Sequence, residues 1–411
     1  MIVVVIIVIS VVLLFIIYKM FFINSEKFIK DLIEKNTPLR IIYENDINKS
    51  IENDDKNNII VINPQMFEKI ALNGEIGLSE SYMNGDWHTK NLEYIVSTLL
   101  KKQDVLVKSL KSHSLNFIFM EIKAYLKNCF NTNTIQSSKK NIEHHYDIGN
   151  DLYSKMLGKH MQYTCAYFNK PNMTLDEAQY EKMELIAKKL DLKQGMEVLD
   201  IGCGFGSLAK HLAEKYKVNV IGVTLSKEQK KYSDEFFSDK NVTIMIKDYR
   251  HVQGKFDRVY SVGMFEHVGR KNYKEYYDKC YELLKDDGIM LLHTISTTQR
   301  NWNHNTFVGK YIFPEFELPH IENLTQKFTD KWHMEDWQNF GLSYAKTLRA
   351  WKTNIGDWSK LEKYDKNFRR MWDMYLLGCA ASFQNRVIGL WQIVYTKKNS
   401  SRLDDCHHIR K

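Results

Sequence analysis

Six cysteines in 411 residues (Cys129, Cys165, Cys203, Cys280, Cys379 and Cys406) include no C-x-x-C pair. The chain therefore shows neither a zinc-site spacing nor a disulfide framework, and its catalytic part is expected in a reducing compartment. No carboxylate–histidine cluster stands at metal-ligand spacing. His144 and His145 alone do not make one, nor does Cys406-His407-His408 in a polar tail over 399–411, so no metal is expected. No Lys/Arg tract is dense enough for nucleic acid. The formal net charge of +8 is a moderate excess that suits an anionic membrane surface or simply a lysine-rich face. Internal repeats and low-complexity blocks are absent. What remains is a globular composition, 44% hydrophobic and 26% charged, with length enough for two full cores.

The amino terminus departs from that composition. Ile2 to Ile17 is apolar apart from Ser10, and the run extends to Ile23. It is long enough to span a bilayer as a helix and lacks the basic start and small-residue cut site of a signal peptide. A single-pass anchor over 1–23 is expected. Lys19, Lys27 and Lys30 behind it place the body in the cytosol by the positive-inside rule. An amino-terminal domain over 24–130, a polar linker over 131–141 and a catalytic domain over 142–398 follow. Within the first of these, Ile59–Ile62 reads as a strand, Met66–Leu72 as a short helix and Leu92–Leu110 as a longer one.

From Gly195 onward strands and helices alternate. Met196–Ile201, Val218–Val223, Val242–Ile246, Phe256–Val262 and Ile289–Ile295 read as strands. Ser207–Tyr216, Ser226–Phe237 and Asn272–Leu284 read as helices between them. This is the pattern of a parallel sheet covered on both faces. An aromatic-rich segment, Trp302–Trp337, interrupts it. Helices Ser343–Lys352 and Phe368–Ala381 and a final strand Leu390–Tyr395 complete the chain.

Val198-Leu-Asp-Ile-Gly-Cys-Gly-Phe-Gly206 runs from a buried strand through glycines into a helix. Glycine has no Cβ, so backbone N–H groups can approach a ligand at the sheet's carboxyl edge. The dinucleotide spacing G-x-G-x-x-G is absent. The compressed Gly202-x-Gly204-x-Gly206 behind Asp200 points to S-adenosylmethionine. The next strand ends at Thr224 and Leu225, with Gln229 on the helix beyond, where a nucleoside ribose should lie. Ser226 to Gln229 also resembles a capping box. Asp248 after the third strand suits the adenine amine, and Tyr249 its ring. The fourth strand delivers Glu266 and His267 to the same edge. His293, inside an apolar strand, approaches it too, although such histidines are usually satisfied core residues. Tyr163, Thr164 and Cys165 are placed to cover the cofactor.

Several of these motifs together resemble the cyclopropane-fatty-acyl-phospholipid synthase family: His145-Tyr-Asp-x-Gly-Asn150, Met161-Gln-Tyr-Thr-Cys-Ala-Tyr167, Leu199–Gly206, Val262-Gly-Met-Phe-Glu-His-Val-Gly269 and Leu291-Leu-His-Thr-Ile295. Tyr311–Pro314, Met334–Trp337, Asn339–Gly341, Leu390–Gln392 and, near the amino terminus, Gly77–Trp87 extend the likeness over roughly Asn58–Lys397. The resemblance implies an α/β fold: a Rossmann-like class I methyltransferase domain with a mostly parallel seven-stranded sheet, beside a smaller lipid-docking α+β domain. It implies methylene transfer from S-adenosylmethionine to the cis double bond of an acyl chain in a membrane phospholipid, with bicarbonate as proton acceptor, and pairing into a homodimer. Cys165, Glu266, His293, Ile295 through its backbone, and Tyr344 would hold the bicarbonate. Tyr163, Thr164, Gly202, Gly204, Thr224, Leu225, Gln229, Asp248 and Tyr249 would contact the cofactor. The anchor is not part of the family pattern. The alternatives are a methyltransferase that makes methyl-branched lipids or methylates a small amine, and a tethered lipid-binding protein with an inactive cofactor fold.

Overall fold

The computed structural model describes residues 25–49, 56–113, 149–299, 306–314, 316–325 and 330–400. The linker 131–141, the His144–Ile148 motif and the tail beyond 400 lie outside them. One expectation is corrected here. Among the described residues no helix is long and apolar enough to cross a membrane, and the run Ile2–Ile23 that argued for a single-pass anchor lies outside them. The orientation inferred from that anchor goes with it.

The chain packs as two compact units, Met1–Lys127 with Tyr364–Ala381, and Asn128–Lys363 with Ser382–Lys411. In the first, helix α1 (25–36) precedes strands β1 (Arg40–Tyr43) and β2 (Asn58–Val61), which pair in parallel. Helix α2 (Gln65–Asn84) leads into β3 (Trp87–His88), antiparallel to β2, and α3 (Leu92–Leu100) and α4 (Gln103–His113) follow. Sequence patterning stops a helix at Leu72. The structure breaks α2 close to that point, at Gly74, where φ is +55° and ψ −122°, and a second helical stretch that the patterning does not show runs on to Asn84. The single helix expected over Leu92–Leu110 is two. Residues 364–381 are built into this unit through Arg370. Its Nη2 donates to the Trp87 carbonyl at 2.6 Å and its Nε to the Tyr82 carbonyl, and its guanidinium lies 3.9 Å from the Tyr82 ring centroid.

The second unit opens with helices α5 (Asn150–Leu157) and α6 (Leu175–Lys189), the latter started by a capping box at Thr174 and Glu177. Then come β4 (Glu197–Ile201), α7 (Ser207–Tyr216), β5 (Asn219–Thr224), α8 (Lys227–Phe236), β6 (Val242–Ile246), β7 (Phe256–Val262), α9 (Tyr273–Leu283) and β8 (Leu284–Thr297). A short helix α10 (Phe307–Tyr311), β9 (Trp332–Asn339), α11 (Gly341–Ile355) and β10 (Ile388–Lys397) complete it. The seven strands are ordered β6-β5-β4-β7-β8-β10-β9. All neighbours from β6 to β8 are parallel, and β10 runs antiparallel to both its partners. The chain leaves β4 in one direction through β5 and β6 and returns on its other side at β7. The crevice at the carboxyl ends of β4 and β7 is therefore the topological switch point, where open α/β sheets bind ligands.

Apolar spacing explains the layers. Tyr273, Tyr276, Tyr277, Cys280 and Leu283 of α9 repeat at helical intervals and are all buried against one face of the sheet. Leu208, Ala209, Leu212 and Ala213 of α7 do the same on the other. Ser226 caps α8 by accepting from the Gln229 N–H at 3.2 Å. The aromatic-rich segment is not only an interruption, because its end is the edge strand β9. Glu335 and Asp336 disguise that strand, and a buried ion pair at 2.9 Å from Lys189 to Asp336 accommodates the second charge.

Candidate active site

The glycine turn after β4 has left-handed backbone at Gly202 (φ +85°), Gly204 (+55°) and Gly206 (+84°). The N–H groups of Gly202 and Cys203 both donate to the Val223 carbonyl at 3.0 Å, tying the turn to β5. A Cβ at Gly202 would stand 2.7 Å from Met264 Cβ, whereas one at Gly204 would meet nothing within 4 Å. The first glycine lets the β7 loop approach, and the second keeps the face of the turn clear for a ligand at the start of α7. Asp200 sits behind the turn. Its Oδ2 accepts from the Tyr260 hydroxyl at 2.8 Å. Burial pushes its carboxyl up to about 7, against the Tyr260 hydrogen bond and the Lys182 charge.

At the end of β5 the Thr224 hydroxyl donates to Gln229 Oε1 at 2.7 Å and accepts from the Ser226 N–H at 3.1 Å. The Gln229 carbonyl is thus engaged within the loop, which leaves its NH₂ as a donor group, with Leu225 half-buried beside it. Beyond β6, Arg250 grips Asp248 with Nε at 2.9 Å, Nη2 at 2.7 Å and its backbone N–H at 3.0 Å. Burial would raise the Asp248 carboxyl, but the Arg250 fork outweighs it and holds the group below the usual carboxylate range. A carboxylate keeps further lone pairs after such contacts. The Tyr249 ring packs edge-on to Tyr276 at 5.5 Å.

The Tyr163-Thr164-Cys165 segment lies against this edge. A Cβ on Gly263, where φ is +69°, would come within 2.8 Å of Thr164 Cγ2, so glycine is required there for the segment to close down on the end of β7. Lys182 of α6 holds it from beneath. Fully buried, its Nζ donates to Thr164 Oγ1 at 2.9 Å and to Gln162 Oε1. Gln162 in turn donates to the Ser207 hydroxyl at the start of α7. Gln179 Nε2 donates to the Thr164 carbonyl at 3.0 Å. Burial brings Lys182 down to about 7, with Cys165 and Asp200 opposing. Sequence reasoning missed Lys182 and Gln162. The available signal was a lysine on the apolar face of α6, three and four residues before Leu185 and Ile186.

Glu266 stands in the 3-10 turn Phe265–His267 directly after β7. Its Oε1 accepts from the Ile295 N–H at 2.6 Å. Its Oε2 is buried with no hydrogen-bond partner among the described residues. On β8, His293 Nδ1 lies 3.1 Å from Gln392 Nε2 of β10, while His293 Nε2 is likewise buried and without a partner among the described residues. Burial pushes the Glu266 carboxyl up to about 7, against the pull of the Ile295 N–H. Burial drives the His293 imidazole well below its ordinary value, and the Lys182 and Lys189 charges add to this. Glu266 and Ile295 are thus brought together directly, through the Ile295 N–H, and His293 stands two residues before Ile295 on β8.

Tyr344 of α11, and Cys165 in the segment packed on that helix, belong to an adjoining wall. The Ala166 N–H donates to Thr347 Oγ1 at 3.0 Å, and that hydroxyl lies 4.0 Å from Cys165 Sγ. Burial pushes the Cys165 thiol up, so it stands as a neutral thiol. Tyr344 stacks on Phe383 at 4.5 Å and meets Trp351 edge-on at 6.1 Å, and Trp351 packs on Tyr163 at 5.3 Å. Phe340 joins the two halves, edge-on to His293 at 5.6 Å and to Tyr167 at 5.2 Å. The result is an aromatic wall that meets Tyr163 through Trp351 and the His293 ring through Phe340. The clear face of the glycine turn and the donors along β5 fit a nucleoside-bearing cofactor such as S-adenosylmethionine.

Comparison with known proteins bears on this arrangement. The mycolic acid cyclopropane synthetase family matches residues 133–393. The cyclopropane-fatty-acyl-phospholipid synthase of Escherichia coli (strain K12) is 41% identical over 344 residues, 82% of this chain and 87% of that protein. Among solved structures, the cyclopropane synthase MmaA2 from Mycobacterium tuberculosis aligns with a TM-score of 0.60 at 29% identity, covering 63% of this chain and 98% of that one. The mycolic acid cyclopropane synthase CmaA1, complexed with SAH and CTAB, aligns at 0.57 and 31% identity with the same coverage of both chains. The chain belongs to the S-adenosylmethionine-dependent cyclopropane synthase family, on a class I methyltransferase fold with a mostly parallel sheet.

Proposed function

We propose that the protein converts the cis double bond of unsaturated acyl chains in membrane phospholipids into a cyclopropane ring. S-adenosylmethionine supplies the one-carbon unit, and a bound bicarbonate supplies a base for the proton released as the ring closes. The observation that carries this reading is the pair of buried, unpartnered atoms, Glu266 Oε2 and His293 Nε2, beside an open glycine turn. A carboxyl oxygen and an imidazole nitrogen without partners call for a small polar ligand, since leaving both unmet costs roughly 1–3 kcal/mol each. Bicarbonate, which both donates and accepts, fits that set. Cys165 and Tyr344 complete its surroundings, and the Ile295 backbone acts through Glu266, which its N–H holds. Tyr163, Thr164, Gly202, Gly204, Thr224, Leu225, Gln229, Asp248 and Tyr249 line the cofactor's place.

The residues' work follows from the chemistry of the substrate. An alkene is a weak nucleophile, so the site must hold it against an electrophile and exclude water that would trap a developing cation. Trp351, Tyr344, Phe383 and Phe340 supply the dry wall and ring faces suited to positive charge. Glu266 is held by the Ile295 N–H so that its second oxygen stays turned to the ligand. Cys165, kept as a thiol, does not compete as a nucleophile. The phospholipid substrate is inferred from the Escherichia coli relative, and we assign lipid docking to the amino-terminal domain, 24–130.

The test is incubation of the full chain with vesicles of unsaturated phospholipid and methyl-labelled S-adenosylmethionine. Each modified acyl chain should gain one carbon and lose its double bond, as read by lipid mass spectrometry. Label confined to a methyl branch or an amine would overturn the reading. Carbonate-depleted buffer should lower turnover reversibly, and indifference to depletion would remove the bicarbonate. Sedimentation of the purified protein reads the homodimer.

A further inference from the structure

Gln392 is not among the residues that sequence patterning or family resemblance gives a role, yet it is fully buried and lies directly opposite His293 in the antiparallel β8–β10 ladder. Directly opposed residues of such a ladder place their side chains on one face, within reach of each other. Here Gln392 Nε2 stands 3.1 Å from His293 Nδ1. With the amide so oriented its NH₂ donates, and the imidazole nitrogen it meets presents a bare lone pair, while Gln392 Oε1 is the amide atom left buried without a partner among the described residues. A neutral imidazole carries a single proton, which must then sit on Nε2. That is the nitrogen left without a partner among the described residues, as is Glu266 Oε2. The ring is kept neutral by burial and by the charges of Lys182 and Lys189, and two residues further along β8 the Ile295 N–H holds the Glu266 carboxyl.

We infer that Gln392 is a positioning residue that locks His293 as the Nε2–H tautomer, making it a fixed neutral donor to an oxygen-bearing ligand rather than the group that takes up the reaction's proton. This rests on the function proposed above only for what the ligand is; the tautomer is a property of the protein alone. It divides the labour at the site. His293 donates, Glu266 accepts, and the proton released at ring closure goes to neither through an imidazolium.

The experiment is nitrogen NMR of the full chain labelled with ¹⁵N-histidine, with the His293 signals assigned by their loss in His293→Asn. The wild-type protein should show protonated Nε2 and bare Nδ1 without any added ligand. A protonated Nδ1 would overturn the inference, and this measurement needs no variant at Gln392. In Gln392→Glu the carboxylate should draw a proton to Nδ1, visible in the same spectrum, and turnover should fall by about 10–100-fold while the KM for S-adenosylmethionine holds within about twofold. An unchanged His293 spectrum in Gln392→Glu would also refute the claim. Absence of cyclopropane product from the wild type would sink the proposed function but not the tautomer, so the two fail separately.

Discussion

Glu266→Gln should make this protein more stable while disabling it. Glu266 is buried, and burial pushes its carboxyl up to about 7 from an ordinary 4.5. That gap is worth about 3 kcal/mol between its two protonation states. The folded-state value is the higher one, so the proton-bound form favours folding. The full contribution is present below about 4.5 and is lost as the pH rises through about 7. At pH 8 the wild type therefore carries a penalty of about 3 kcal/mol for holding a buried anion, and at pH 5 less than about 1 kcal/mol of it remains. Glutamine keeps the acceptor for the Ile295 N–H and never ionises. Its NH₂ takes the place of an oxygen that has no partner among the described residues either.

For a unit of this size, 3 kcal/mol corresponds to about 6–12 °C in melting temperature. Scanning calorimetry of both proteins at pH 8 and pH 5 is the assay, without cofactor, so that binding does not add its own stabilisation. The variant should melt higher at pH 8, with the gain mostly gone at pH 5, and its turnover should be down on the order of 100-fold. A shift of equal size at both pH values would place the effect in packing rather than charge. A variant less stable at pH 8 would mean that the carboxylate is well satisfied in the fold, contrary to the unpartnered Oε2.

Three further outcomes follow from the same geometry. Lys182→Met leaves the buried Gln162 Oε1 and the half-buried Thr164 Oγ1 without their donor; urea unfolding should show a loss of about 1–3 kcal/mol, and the KM for S-adenosylmethionine should rise more than that for lipid. Gly202→Ala forces a side chain into left-handed backbone and within 2.7 Å of Met264 Cβ; a loss of about 1–3 kcal/mol is expected, with S-adenosylhomocysteine binding weakened in calorimetric titration. Arg370→Leu removes the guanidinium donor from the Trp87 carbonyl and from the Tyr82 carbonyl, which keeps the Gly85 N–H; about 1–2 kcal/mol should be lost in thermal unfolding, and unchanged melting would mean that the guanidinium is dispensable there.

What can be read from the sequence is local. Strands β4 to β7 and the Ile289–Ile295 part of β8 are short apolar runs, most of them joined by amphipathic helices, and the α8 cap and the glycine turn are written in consecutive residues. The corresponding site residues stand at strand ends beside those motifs, which is why Glu266 and His293 are legible in the order of the chain. The failures share one cause, pairing at a distance. Strand β9 is polar enough to look like loop until β10 pairs with it and Lys189 meets Asp336.

Gln392 and Lys182 escape a local reading for a related reason. Their partners lie 99 residues away in one case and 18 in the other, and nothing nearby distinguishes them from tolerated polar residues in apolar stretches. Yet that breach of pattern is itself a signal. A glutamine inside Leu390–Tyr395 and a lysine on the apolar face of α6 each cost stability unless a buried polar partner awaits them. In a chain otherwise consistent at every level, such lapses mark where function has overridden folding economy. A lone polar side chain in an apolar stretch is therefore a question about a distant partner rather than noise in the pattern. Asked of Lys182 it leads to the Tyr163-Thr164-Cys165 cover, and asked of Gln392 it leads to His293, so both answers converge on one edge of the sheet.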